Sequence, residues 1–373
     1  MHLERRVMEE YSEDGVTMGG ENLTCDVAEC QATLGSGPVT MGSERDITDT
    51  EWDDFVFSHP MGNIFQTPAL YRVYAETKNY FPISVALTDP GSQEIGGVMS
   101  GVVIRVMDGF PGNFSARSIV QGGPLIAPSS GGDVVSKLVE KYDSHASRSS
   151  LYTEIRNMYD VQGMLNPVNN YSYVDHLNFI IDLNRSRDDL WGQIHKSRRK
   201  NINRAERAGV VVEEIVSQDK IPVFYELLRE TYNSVRVPLA DISLFESSFR
   251  HLVPEGLAKF FLARHEDDYI GARAVLLYKD RIYDWYAGAA VDALSFYPNE
   301  YLVWHILEWG VENNYLVFDF GGAGKPDKPY GPREFKRRFG GELVNYGRYV
   351  RQYSKRKIKV AEIGFKAYQK LFF

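Results

Sequence analysis

The stretch from Val317 to Tyr349 reads VFDFGGAGKPDKPYGPREFKRRFGGELVNYGRY and holds the densest chemistry in the chain. Asp319 lies near the end of a short apolar run, Gly321 and Gly322 follow at once, and a Gly/Pro-rich loop comes next. Then Arg333, Lys336, Arg337 and Arg338 arrive, interleaved with Phe335 and Phe339. Glycines let backbone amides approach a ligand closely and clustered cations offset its charge, so the pattern suits a phosphate or an activated carboxyl group. A solvated turn followed by an ordinary basic helix would use the same residues, and the pattern alone leaves both readings open. Asp319 is a candidate proton acceptor or orienting carboxylate, or a cap for the glycine turn. No Ser-His-Asp arrangement and no metal-ligand spacing stands out, so no metal is expected.

These residues must be carried by regular elements. The run Tyr315–Phe320 reads as a buried strand, and Asn299–Asn313 as a helix capped by Asn299. Before them, helical patterns at Gln218–Asn233 and Leu244–His251 precede strands Lys259–Arg264, Tyr269–Tyr278 and Arg281–Ala287. The first half has the same order. Thr48 or Thr50 can cap a helix through Phe57, and Pro68 starts another through Thr77. Strands Phe81–Leu87, Glu94–Val106 and Arg117–Gln121 follow, then a helix over Gly132–His145 and a strand Leu151–Arg156. Helices, three strands, a helix and a strand therefore occur twice. The fold class expected is α+β, with two mixed, mostly antiparallel sheets flanked by helices; the rival is one larger α+β domain. Tandem domains leave a cleft between them, a usual place for a ligand.

The motif DFGGAG-KP-x-x-PYG-x-x-x-FKRRFGG-x-LV-x-YGRY resembles the signature of the FemAB/FemX peptidyltransferases, which build peptidoglycan cross-bridges from aminoacyl-tRNA. The resemblance runs over about 47–349 and implies two tandem GNAT-like domains, the first over 45–183 and the second over 184–350. It implies an aminoacyltransferase with aminoacyl-tRNA as co-substrate and no resident cofactor. Lys336, after Phe335, is similar to the family lysine that offsets charge at the acyl-tRNA 3′ end. Donor contacts are then expected from Phe335, Arg333, Gly321, Gly322 and Arg337. Arg236 stands where the family anchors an anionic, peptide-linked acceptor carried on a nucleotide or lipid, and Ser234 matches a nearby hydroxyl. Tyr286 in WYAGA is a further acceptor contact. Ala240 departs from a family tyrosine, and Thr67 and Leu70 replace the serine and tryptophan of a Gln-Ser-x-x-Trp segment. A family lysine near Arg72–Tyr74 is absent, which puts recognition of a UDP-linked muropeptide in question. The alternatives are an acyl-CoA N-acyltransferase of the same superfamily and a non-catalytic RNA-binding or scaffold protein. Acyl-CoA enzymes hold pyrophosphate on a Gly-rich loop, and Ala289–Asn299 here reads AAVDALSFYPN, without that pattern.

Ser186-Arg-Asp-Asp189 looks like a capping start and Gly209 like a stop, which predicts one basic helix over 186–208. On a helical wheel Lys196, Lys200, Arg204 and Arg207 share a face with Arg199 at its edge, a solvated stripe or a surface for tRNA phosphates. Arg198 falls on the apolar face beside Asn201. A buried guanidinium needs a partner, so both are candidate contacts for an acceptor anion, or Arg198 pairs with Asp175 or Asp319.

At 373 residues the chain fits two domains. Its net charge of −8 is concentrated in residues 1–46, which hold ten acids against Arg5, Arg6 and Arg45. The remainder is near neutral, so its cations form patches instead of a general excess. Residues 1–44 read as a disordered acidic tail. Cys25 and Cys30 lie there, which excludes a disulfide scaffold for the body. No apolar run reaches 18 residues and no apolar leader opens the chain, so a cytoplasmic protein is expected. The stretch between Gly209 and Lys259 is too short for a long helical-hairpin arm, and the resemblance then implies a compact, FemX-like monomer. Residues 351–373 read as an amphipathic helix, packed on the second domain or touching an anionic membrane peripherally.

Overall fold

The computed structural model describes residues 46–89, 91–105, 116–131, 133–161, 168, 170–354 and 358. Thr48 opens the first helix, α1 (Asp49–Ser58), with a capping box. Its hydroxyl accepts the Glu51 N–H at 3.2 Å, and the Glu51 carboxylate accepts the Thr48 N–H at 2.9 Å. There follow α2 (Pro68–Ala75), β1 (Tyr80–Thr88), β2 (Ile95–Ile104), β3 (Arg117–Gln121), β4 (Leu125–Ile126), α3 (Val134–Ser149), β5 (Tyr152–Arg156) and β6 (Ser172–Val174). The second half runs through β7 (Leu177–Asp182), α4 (Arg187–Gln193), α5 (Lys196–Arg207), β8 (Val211–Glu214), α6 (Ile221–Ser234), α7 (Ile242–Leu252) and β9 (Ala258–His265). It closes with β10 (Asp268–Tyr278), β11 (Arg281–Ala289), α8 (Pro298–Glu312), β12 (Val317–Gly322), α9 (Gly331–Arg337), β13 (Glu342–Asn345) and β14 (Arg348–Gln352).

Two sheets result. The first has the order β1-β2-β3-β5-β14-β6, with β4 on β2; the second has the order β8-β9-β10-β11-β12-β7-β13. In each, two antiparallel pairings are followed by one parallel pairing across a helix, β3 with β5 and β11 with β12. A parallel pair needs a crossover, and α3 and α8 supply it. The repeated order read from the sequence is thus a repeated sheet.

The described chain divides into two compact units, one of residues 46–75, 79–173 and 348 onward, the other of 76–78 and 174–347. That differs from the division at 183/184 expected from the sequence. Strand β7 pairs with β12 and β13 and so belongs to the second sheet, while β14 pairs with β5 in the first. Leu177, Phe179 and Ile181 alternate inward, which is the signal that places β7 in the second core. That core gathers Phe179, Phe261, Leu302, Ile306, Phe318, Phe320 and Phe339; the first gathers Met99, Val120, Leu138, Tyr142 and Ile155.

Two helix expectations are corrected. The single basic helix is two, because Ile194 and His195 take extended ψ values of 129° and 138°. His195 then caps α5 by accepting the Ser197 N–H at 3.3 Å, while its own N–H donates to the Arg338 carbonyl at 2.9 Å. The start of α8 is not capped by Asn299: Tyr297, left-handed at φ 58°, precedes Pro298 and makes no side-chain cap. The amphipathic helix expected over 351–373 does not begin at 351, where Arg351 and Gln352 still belong to β14; apart from 351–354 and 358, that segment lies outside the described residues, as does the acidic tail. Among the described residues no helix is long and apolar enough to cross a membrane.

Candidate active site

Strands β11 and β12 run side by side for only three residue pairs, Arg281 with Val317, Ile282 with Phe318 and Tyr283 with Asp319. Beyond them β11 continues along β10 through a bulge, where the register slips between Ala274 and Val275. Strand β12 turns instead towards β7, its own register slipping between Asp319 and Gly322. Bulges of this kind re-aim side chains and end pairing. Gly321 makes the turn possible at φ +73°, a backbone conformation that strains any residue with a Cβ. Asp319 fixes it: its Oδ1 accepts the Gly321 N–H at 2.9 Å and Asn178 Nδ2 at 2.8 Å. The glycine-turn cap considered from the sequence is therefore real.

Lys336 reaches from α9 into the place where the strands part. Its Nζ donates to the Phe320 carbonyl and, at 3.0 Å, to the Gly322 carbonyl. An ammonium has three N–H donors, so one remains for another group. Burial is the main influence on this lysine and pulls its pKa down to about 8; Arg273 adds to the effect, while Asp284 and Asp319 oppose it. The same burial pushes the carboxyls of Asp284 and Asp319 up. Asp284 is gripped by Arg273 through two bonds, Nε to Oδ1 at 2.8 Å and Nη2 to Oδ2 at 3.2 Å. Two cations and two carboxylates thus share one interior site. Within it Arg273 Nη1 and Asp319 Oδ2 are buried without a hydrogen-bond partner among the described residues, so the first can still donate and the second accept.

The sequence had indicated Lys336 and Asp319 but not Arg273, Asp284 or Asn178. A signal existed for two of them. Arg273 interrupts IGARAVLLY and Asp284 interrupts RIYDWYAGA, and a lone charge in an apolar strand must find an opposite charge.

The other expected donor contacts are placed around α9. Phe335 packs edge-on against Phe320, centroids 6.3 Å apart, and lies 5.2 Å from Phe339. Arg333 ties down the glycine-rich loop, donating to the carbonyls of Ala323 (2.7 Å), Lys328 (2.9 Å) and Lys325. Arg337 pairs with Glu334 on the surface, and Gly322 is exposed beside the lysine. Arg198 and Asn201 converge on one acid that the sequence reading did not name. Arg198 pairs with the Glu300 carboxylate, to which Asn201 Nδ2 also donates at 3.1 Å, and the guanidinium stacks 4.4 Å from the Phe335 centroid. Asp175 is bonded to Asn345 instead, and Asp319 to Asn178.

Among the expected acceptor residues, Arg236 follows α6 in a left-handed conformation, φ 54°, exposed and with no side-chain partner among the described residues. The Ser234 hydroxyl donates to the Thr231 carbonyl at 2.7 Å and keeps its lone pairs. Tyr286 sits on β11 with its ring 4.9 Å from Phe245 and 6.0 Å from Tyr232. Helix α6 packs on β10 and on β11, the strand that carries Asp284 and Tyr286.

The family model described as an acetyltransferase (GNAT) domain matches residues 194–337, which span α5 to α9 and include every member of the ionic site except Asn178. No curated protein matches by sequence. Among solved structures, that of FemX superposes with a TM-score of 0.64 at 16% identity, over 85% of this chain and 99% of that one. L-PGS from Bacillus licheniformis superposes at 0.52 and 12% identity, over 88% and 98%. A tandem GNAT protein from the clavulanic acid biosynthesis pathway does so at 0.52 and 11%, over 82% and 95%. The second unit therefore carries an acyltransferase domain of the GNAT kind, in a chain with the FemX fold.

Proposed function

We propose that the chain forms an amide by passing an aminoacyl group from the 3′ ester of an aminoacyl-tRNA to the amine of an anionic, peptide-linked acceptor, such as a cell-envelope precursor. The observation that carries this reading is the Lys336 ammonium, held by two carbonyls where β11 and β12 separate, with one N–H left over. The acceptor nitrogen attacks the ester carbon, a C–N bond forms, and the bond to the ribose oxygen breaks. Lys336 donates to the oxyanion and then to the departing ribose oxygen, a contribution greatest in a site shielded from water. The proton lost by the amine goes to Asp319, whose raised pKa suits it to hold one, and from there restores Lys336. Arg236, exposed and unpaired among the described residues, suits the anionic part of the acceptor, with Ser234 two residues before it; Arg198 and Asn201 are engaged by Glu300. A tRNA donor puts the reaction in the cytoplasm.

The match to an acetyltransferase domain favours a second reading, an acyl-CoA thioester as donor. Against it stands the segment before α8. The N–H groups of Ala293, Phe296 and Tyr297 bond to Ala290, Ala293 and Leu294 within the segment's own turns, so they are not offered to a pyrophosphate. The deciding experiment supplies labelled aminoacyl-tRNA and, separately, labelled acetyl-CoA, and follows label into candidate amines. Transfer from the thioester alone would overturn the ester donor.

A further inference from the structure

Helix α5 presents Lys196, Arg199, Lys200, Arg204 and Arg207 on one face; Lys196, Lys200, Arg204 and Arg207 are exposed, and Arg199 is half-buried. None of the five has a carboxylate partner among the described residues, although most other arginines of the second unit do. Arg204 donates to the Tyr297 hydroxyl at 3.0 Å, which leaves its charge uncompensated. The opposite face is anchored by buried Ile202 and Ala205 and by the Arg198–Glu300 pair, so the orientation of the stripe is fixed. At 1.5 Å per residue, Lys196 to Arg207 spans about 16 Å. The stripe also has a fixed origin. The His195 N–H bonds to the Arg338 carbonyl, which joins the start of α5 to the end of α9, two residues beyond Lys336. Arg338, exposed and without a carboxylate partner among the described residues, extends the stripe to that junction.

We propose that this face docks the phosphate backbone of the donor RNA's stem while the RNA's 3′ end lies at Lys336; the inference rests on the tRNA-ester reading above. A row of cations leading away from the reacting lysine is what a long polyanion attached to the acyl group requires, since each phosphate met releases condensed counterions. A small thioester donor has no use for it. A lipid surface fits less well, because the apolar residues of α5 are buried in the core and the exposed face offers no aromatic or aliphatic side chain to insert.

The test measures binding of bulk uncharged tRNA by fluorescence anisotropy as salt is raised, with the full chain and with the Lys200→Gln/Arg207→Gln variant. Four to five phosphate contacts give a log–log salt slope of about −4, and losing two should reduce its magnitude by about 2. In transfer assays the variant's KM for a stemmed aminoacyl minihelix should rise on the order of tenfold with kcat held. A stemless aminoacyl oligonucleotide should not show that rise. An unchanged slope, or equal losses with both donors, would overturn the docking surface. Transfer from neither donor, with a slope that still depends on the stripe, would sink the ester reading and leave the surface standing. Stripe-dependent binding to phosphatidylglycerol vesicles without any change in the RNA slope would replace RNA by a membrane.

Discussion

Raising the pH through the titration of Lys336 should move activity and stability in opposite directions. With a pKa of about 8, about nine-tenths of the lysine is ammonium at pH 7 and about one-tenth at pH 9. A step that needs the ammonium then loses about tenfold in kcat between those values, with the acceptor saturating. Stability follows the opposite sign. The unfolded lysine titrates near 10.5 and the folded one lower, so between these pH values the unfolded state binds more protons and unfolding becomes harder as pH rises. The displacement corresponds to roughly 3 kcal/mol, absent below pH 8 and complete above 10.5, before other groups titrate. Competitive acylation followed by mass spectrometry would read the midpoint directly, and urea melts at pH 7.5 and 9.5 would read the stability. Lys336→Arg should abolish the basic limb of the kcat profile, because a guanidinium stays charged. Lys336→Met should cost about a hundredfold or more in kcat. A labelling midpoint near 10.5, the value of a solvated lysine, would refute the interior ammonium and the mechanism with it.

Three further outcomes follow from the same site. Arg273→Met and Asp284→Leu should each destabilise by about 3–5 kcal/mol by leaving a buried charge alone, and the double variant by much less than their sum, read by urea unfolding. Gly321→Ala, at φ +73°, should cost about 1–2 kcal/mol and lower kcat as well, because the carbonyls on either side of it hold Lys336. Arg333→Gln should leave the melting temperature within a few degrees but speed proteolysis within 323–328, since three carbonyls of that loop lose their donor.

What the sequence disclosed and what it hid divide by the range of the interaction. Strands β9 to β12 and helix α8 were legible because their apolar periods are local and their turns carry Glu266-Asp267 and Lys279-Asp280. Strand β7 was not: six residues between irregular segments look like a linker until β12 and β13 are present to pair with them. The break at His195 was hidden for the same reason, since the carbonyl that takes its N–H belongs to Arg338, far along the chain. In the site, Lys336 stood out among its neighbouring cations by the resemblance of its motif, and Asp319 by its place at the end of a strand just ahead of two glycines. Arg198 was known to need a counter-charge, but the sequence pointed to Asp175 or Asp319 and the partner is Glu300 on α8. Arg273 and Asp284 each read as an oddity in an apolar strand, and only the bulge in β11 brings them into one pair beside the lysine. The residues that shift Lys336's pKa are therefore the ones that lie on separate strands and meet through irregularities of the sheet. This is why the surroundings of the Lys336 ammonium, and hence its pH behaviour, are a product of the fold, while the choice of Lys336 as the candidate is a product of the motif.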